Sequence, residues 1–287
     1  MYWVRINEYF HKFFSLNNGK KQAKIIITND PDHGRLEDYR KVFSLLKKLD
    51  IKITTSVFCK IENDGSDLSN HCYENETHSL ENPAYKEFMQ ELYEDGHEIA
   101  FHGYSQISNT RDRFLEGLEI FKSTFGDYPY TYIEHGGNPQ KHSIGMCKKE
   151  TLAVDGLNPQ SDYYIWDIIK EKVNCIWAWH DLLDDDYHVK QDEDYFYNYD
   201  GMLCFKRYRM NYINYLLYRT KVKSGTFLGY THFGYDGYQK TKRYNLENWI
   251  GDSLRNAETS LLHLIENNYH FVTLRGLAES LRLGKIK

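Results

Sequence analysis

Proline is scarce, long apolar runs are missing and cysteine follows no pattern. Five prolines in 287 residues are too few for a proline-rich linker or disordered chain, and 41% hydrophobic residues give a packed globular protein. No apolar stretch approaches the roughly 18 residues that cross a membrane, so no transmembrane segment is expected. The first residues, MYWVRINEYFHKFF, carry charge every few positions and lack the apolar centre of a signal peptide. Cys59, Cys72, Cys147, Cys175 and Cys204 are odd in number, scattered and without a C-x-x-C pair. That argues against a disulfide framework or a cysteine zinc site and favours reduced thiols in the cytoplasm. A dominant charge is lacking too: the net charge is −5 with both signs interspersed, which argues against nucleic acid or an anionic membrane surface as partner. Tyrosine, by contrast, is abundant at 25 residues, and its apolar face and hydroxyl suit a sugar ring or any wet interface.

Residues 1–20 read as an amphipathic helix (Trp3, Ile6, Tyr9, Phe10, Phe13, Phe14) packed on the body. Lys24 to Gly34, KIIITNDPDHG, is the organising stretch. Three isoleucines and Thr28 read as a buried parallel strand, which Pro31 ends and Gly34 releases, leaving Asp30 and Asp32 at its C-terminal mouth. The other reading is an Asx-rich turn capping the next helix. Residues 35–49 then put Leu36, Tyr39, Val42, Phe43, Leu46 and Leu49 on one helical face, and 51–58 is β-branched and strand-like. Further strands are predicted at 97–101, 130–133, 173–179, 226–230 and 270–273, with a hairpin over 195–208. Helices are predicted at 82–93, 110–125, 165–171 and 246–267, and from 274. Residues 60–80 read as a polar loop, 138–224 as an insertion of unknown fold, and the whole of 1–287 as one catalytic domain with no repeat. Nothing in the sequence specifies an oligomer.

Five predicted strands end in a histidine or an Asp pair: Asp30/Asp32, His102, His135, His180 and His232. A parallel α/β barrel gathers its strand ends on one face, so these groups can converge there. Asp with His is a ligand set for a divalent ion with an open position, a second carboxylate can act as base, and a late histidine can protonate a leaving group. The set describes metal-assisted hydrolysis of an amide or ester. Other histidines read as structural: His97 points away from the mouth by alternation, and His71 and His78 lie on the surface. His180 with Asp181 reads as a substrate contact or a bond within the sheet end, and His33 as a neighbour of the ligands.

The stretch IIITNDPDHGRLEDYRKVFSLLKKLDIKITTSVF resembles the opening of the polysaccharide deacetylase (chitooligosaccharide deacetylase-like) family. ELYEDGHEIAFHGYSQ is similar to that family's second motif, Glu134-His135-Gly136-Gly137 falls where its third lies, and TFLGYTHFGYD resembles its last strand. The resemblance spans roughly residues 24–137 and 225–285. It implies a distorted (β/α) barrel with fewer than eight strands, and a metal-dependent hydrolase, zinc being the expected ion, that removes an N- or O-linked acetyl group from a sugar in surface polysaccharide biosynthesis. Carried over, Asp30 is the general base, Asp32 and His102 are metal ligands, and His232 is the general acid. Three departures mark this chain. Pro31 splits the two acids, Gln106 stands where a second histidine is expected as ligand, and no arginine occurs between Arg113 and Arg207 to orient the base. His135 is then a candidate ligand or transition-state donor, with the Gly136 and Gly137 amides near the oxyanion. Two other readings stay open: a catalytically degenerate carbohydrate-binding relative of the same fold, and a metal-free glycosidase pairing Asp30 with Asp236 or Glu134.

Overall fold

The computed structural model describes residues 24–31, 36–61, 78–105, 109–135, 155–178, 196–206, 226–231 and 254–283. The strands are β1 (Lys24–Asn29), β2 (Thr54–Phe58), β3 (Glu98–Gly103), β4 (Thr131–Ile133), β5 (Cys175–Ala178), β6 (Phe196–Tyr199), β7 (Met202–Lys206), β8 (Thr226–Thr231) and β9 (His270–Phe271). The helices are α1 (Leu36–Lys48), α2 (Pro83–Glu94), α3 (Arg111–Phe125), α4 (Trp166–Lys172), α5 (Leu254–Glu266) and α6 (Leu274–Arg282). The strands form one curled sheet in the order β6-β7-β5-β4-β3-β2-β1-β8. Every neighbouring pair on that path is parallel except the β6–β7 hairpin, so seven parallel strands run side by side. The architecture is the distorted (β/α) barrel expected from the sequence, and the count of fewer than eight strands holds for its parallel run, with the β6 and β9 pairings added to it.

Alternation along each strand builds two cores. Ile25, Ile27, Val57, Ile99, Phe101 and Tyr132 face outward and pack under the helices, with Tyr39, Val42, Phe43 and Leu46 of α1 among their partners. Ile26, Ala100, Ile133, Trp177, Phe205 and Leu228 face inward. That double burial is why the first strand reads as three isoleucines rather than as an alternating pattern. The β6–β7 hairpin turns through Asp200 and Gly201, with φ of 48° and 84°. A two-residue Asp-Gly loop with both φ values positive matches the right-handed twist of its strands. The described parts of 138–224 thus supply α4 and three strands of the sheet.

The barrel is distorted at one seam. β1 pairs with β2 only at Thr28↔Thr54 and Asn29↔Thr55, because the start of the same edge is taken by β9, through Lys24↔His270 and Ile25↔Phe271. The chain passes through this gap, and α6 packs Leu274, Leu277 and Ala278 into the inner core. A buried polar layer receives the helix N-terminus. Leu274 N–H donates to Thr54 Oγ1 at 2.8 Å and Arg275 N–H to Glu98 Oε2 at 2.7 Å. Thr54 Oγ1 (2.8 Å) and Thr131 Oγ1 donate to the same carboxylate. Burial pushes the Glu98 pKa up, against hydrogen bonds that favour the charged form. The positive end of α6 favours that charge as well.

Cys59, Cys175 and Cys204 are buried and form no disulfide, and burial pushes the thiols of Cys59 and Cys175 up, which leaves them as packing groups. His97 is buried, its ring edge-on to Phe43 with centroids 5.0 Å apart, and its Nδ1 accepts from Ile53 N–H at 3.2 Å. It is away from the strand mouths, as expected. His78 corrects the expectation of a surface residue. It is half-buried, its Nδ1 accepts from Leu36 N–H at 3.0 Å, and its ring lies 5.8 Å from that of Tyr85. The reason is that the first turn of α1 has amide donors without helical partners, and this imidazole takes one of them. The N-terminal 1–20 segment, His33 and His71 lie outside the described residues. So does most of the 60–80 loop. Among the described residues no helix is long and apolar enough to cross a membrane.

Candidate active site

The C-terminal ends of β1 to β4 lie side by side along the sheet, all pointing the same way. β1 delivers Asp30, whose side chain is 1% exposed. Around it, Asn29 Nδ2 donates to Thr55 Oγ1 (2.9 Å) and Ser56 Oγ donates to the Asn29 carbonyl (3.1 Å), tying the end of β1 to β2. On the other side Asn29 pairs with Thr231, the residue before His232, and Thr28 Oγ1 donates to the Gly229 carbonyl at 3.1 Å.

β3 delivers His102 through an irregularity. Val57 pairs with Phe101, but the next residue, Phe58, pairs with Gly103. His102 is therefore an extra residue in the strand, a β-bulge. Gly103 carries the distortion with a φ of 127°, and a Cβ there would lie 2.6 Å from Asn109 Oδ1. That oxygen accepts from Tyr104 N–H, and Asn109 Nδ2 donates to the Ser105 carbonyl at 3.1 Å. Asn109 is buried, so the turn after His102 is latched from within.

β4 delivers Glu134 and His135. Glu134 N–H donates to the Trp177 carbonyl at 3.0 Å, which carries the parallel pairing with β5 past the end of the strand. The rings of His102 and His135 have centroids 5.2 Å apart, at an interplanar angle of 62°. Phe58 touches both, 4.9 Å from His102 and 5.2 Å from His135. The two imidazoles are 1% and 6% exposed. Two buried polar rings on adjacent strand ends, held by a shared phenyl group, make a preorganised pair of nitrogen donors.

The structure thus brings together His102 and His135 and places Asp30 at the end of the same run of strands. Asp32, Gln106, His232, His180, Asp181, Asp236 and the Gly136 and Gly137 amides lie outside the described residues. Among the described residues, no group of three or more His, Cys, Asp or Glu is placed to hold a metal ion. The separation of the two imidazole rings matches half of such a site. With Zn–N bonds of about 2.0–2.1 Å and tetrahedral angles, two imidazoles on one ion have ring centres about 5 Å apart. Phe58, Asn109 and Glu98 were not singled out in the sequence. A glycine inside a strand pattern, Gly103 directly after His102, is a signal for a bulge. Nothing in the local sequence pointed to Asn109, whose role depends on where α3 returns to the sheet.

The crystal structure of Puue allantoinase superposes on this chain with a TM-score of 0.57 at 11% identity, covering 92% of this chain and 91% of that one. The chain shares its fold with this allantoinase. A Xyl-CE4 domain of a multidomain xylanase from the hindgut metagenome of Trinervitermes trinervoides matches with a TM-score of 0.43 at 12% identity, covering 91% of each chain. A mutant of a CE4 family pseudoenzyme with restored enzymatic activity matches with a TM-score of 0.41 at 13% identity, over 91% of this chain and 69% of that one. No family model and no curated protein matches the sequence. At these identities the likeness is one of fold alone.

Proposed function

We propose that this chain is a metal-dependent hydrolase that removes an N- or O-linked acetyl group from a sugar, a building block of a surface polysaccharide. The observation that carries the reading is the buried His102–His135 pair over Phe58, on strand ends neighbouring the one that delivers Asp30. The motif resemblances and the shared barrel fold agree with it.

Amide hydrolysis needs a deprotonated water, stabilisation of the oxyanion and a protonated leaving amine. A divalent ion, with zinc the expected one, supplies Lewis acidity when bound. Asp32 and His102 are the residues assigned to hold it. Asp30, at the mouth of β1, accepts the proton of the attacking water at its carboxylate. Burial of that carboxylate limits competing solvent around the proton it takes. His232 donates a proton to the departing nitrogen or oxygen, and its predecessor Thr231 is paired with the residue before Asp30. The tyrosines offer flat faces to a sugar ring.

The test is acetate release from N-acetylated amino-sugar oligomers, a nucleotide-linked N-acetylhexosamine and O-acetylated sugars, with and without chelator. Chelator-sensitive release that Asp30→Asn abolishes, with fold and metal content retained, is the expected result. Turnover retained in Asp30→Asn refutes the assignment of the base, and release of a glycosyl product insensitive to chelator points instead to a glycosidase.

A further inference from the structure

Resting on that reading, we propose that His135, rather than Gln106, is the second nitrogen ligand of the metal beside His102. Three observations carry it. First, the two rings stand with centroids 5.2 Å apart, against about 5 Å for two imidazoles sharing one tetrahedral zinc. Second, both rings are anchored by one buried partner, Phe58, so their mutual placement is fixed before any ion arrives. Third, β3 pairs in parallel with β4, so His102 and His135 sit just past the paired residues Phe101 and Tyr132, on neighbouring strand ends. Gln106 offers only a neutral amide oxygen, a weaker ligand for zinc than an imidazole nitrogen. Ligation by His135 would draw the two nitrogens from the ends of adjacent strands of the sheet.

A plain ring cluster is the rival explanation of the same distances, since aromatic groups pack tilted or edge-on with centroids 4.5–7 Å apart. The two are separated by His135→Phe, which keeps a ring at the position and removes the nitrogen. The full-length chain is stripped of metal and titrated with Zn2+ against a chromophoric chelator, and the Co2+ form is examined by 1H NMR for exchangeable imidazole N–H signals shifted by the ion. The expected result is that His135→Phe folds with an unchanged apo melting curve and loses at least about 100-fold in zinc affinity. Gln106→Ala stays within about threefold of wild type. Two shifted imidazole N–H signals are expected for wild type and one for His135→Phe. Adding Gln106→His to His135→Phe restores part of the affinity.

Zinc affinity unchanged in His135→Phe, or a single shifted N–H in wild type, overturns the ligand assignment and leaves the hydrolase reading standing. A wild-type chain that binds no zinc overturns both. If His135→Phe does not fold, the wild-type signal count decides alone.

Discussion

Phe58 pairs with Gly103 directly after Val57 pairs with Phe101, so the strand carrying His102 holds one residue more than its neighbour. The bulge, the phenyl group beside the two imidazoles and the Asn109 latch form one device. A regular β3 would need no positive φ at residue 103. The device places an imidazole in the apolar mouth of the barrel and holds it there, and it makes several outcomes predictable.

Asn109→Ala removes the acceptor of Tyr104 N–H and the donor to the Ser105 carbonyl, both buried. A buried amide left without a partner costs about 1–3 kcal/mol. The expected outcome is a lower urea midpoint at unchanged slope, together with weaker zinc binding. Asn109→Asp keeps the acceptor and should recover part of both. Reduced stability with zinc binding untouched would show that the latch holds the loop but does not position His102.

Gly103→Ala puts a side chain where φ is 127° and where Asn109 Oδ1 would lie 2.6 Å from the new carbon. Backbone strain of this kind alone costs about 1–3 kcal/mol. Chemical denaturation should show at least that loss. Shortening the neighbour in Gly103→Ala/Asn109→Gly should leave the double variant less destabilised than the sum of the two single ones. Simple additivity would mean that the two side chains do not compete for this space.

Glu98 accepts from Thr54, Thr131 and the Arg275 N–H of α6. Glu98→Ala strands two hydroxyl groups and an amide at the base of the barrel, a loss of at least about 3 kcal/mol. Native-state hydrogen exchange should show α6 opening far more readily in the variant. An α6 as protected as in wild type would argue that its apolar face alone seats it.

His97 gives a pH dependence of defined sign. Burial, and after it the Lys52 ammonium, lower its pKa from 6.5 to about 4, against the pull of Asp95. The folded chain therefore refuses a proton that the unfolded chain takes below pH 6.5. The stability contributed by the neutral ring is present above that value and is lost as pH falls toward 4, by up to about 3 kcal/mol. His97→Asn keeps an acceptor for Ile53 N–H and carries no titrating group. The difference between wild-type and variant urea midpoints should change between pH 7 and 4.5, and a constant difference would contradict a depressed His97.

The sheet was legible in the sequence because its strands are buried on both faces. Ile25 to Ile27 can be little else, and β1 falls on Lys24–Asn29 as expected. The amphipathic helices were legible for the same reason, with α1 burying Tyr39, Val42, Phe43 and Leu46. What was not legible depends on residues far apart in the chain. His78 looks like one more polar residue of a loop until α1 starts beside it. β9 looks like an ordinary last strand, although it takes part of the edge of β1 and admits α6. His102 and His135 were both visible as strand-end histidines. That they stand ring to ring depends on the parallel pairing of β3 with β4, which is not written in either strand alone.

The most direct measurement is anomalous diffraction at the zinc edge from crystals of the full chain grown with zinc. A single strong peak at about 2.0–2.2 Å from a His102 ring nitrogen and from an Asp32 carboxylate oxygen is the predicted result. No peak at His102, or a peak bound only by surface groups elsewhere, would contradict the metal-dependent account.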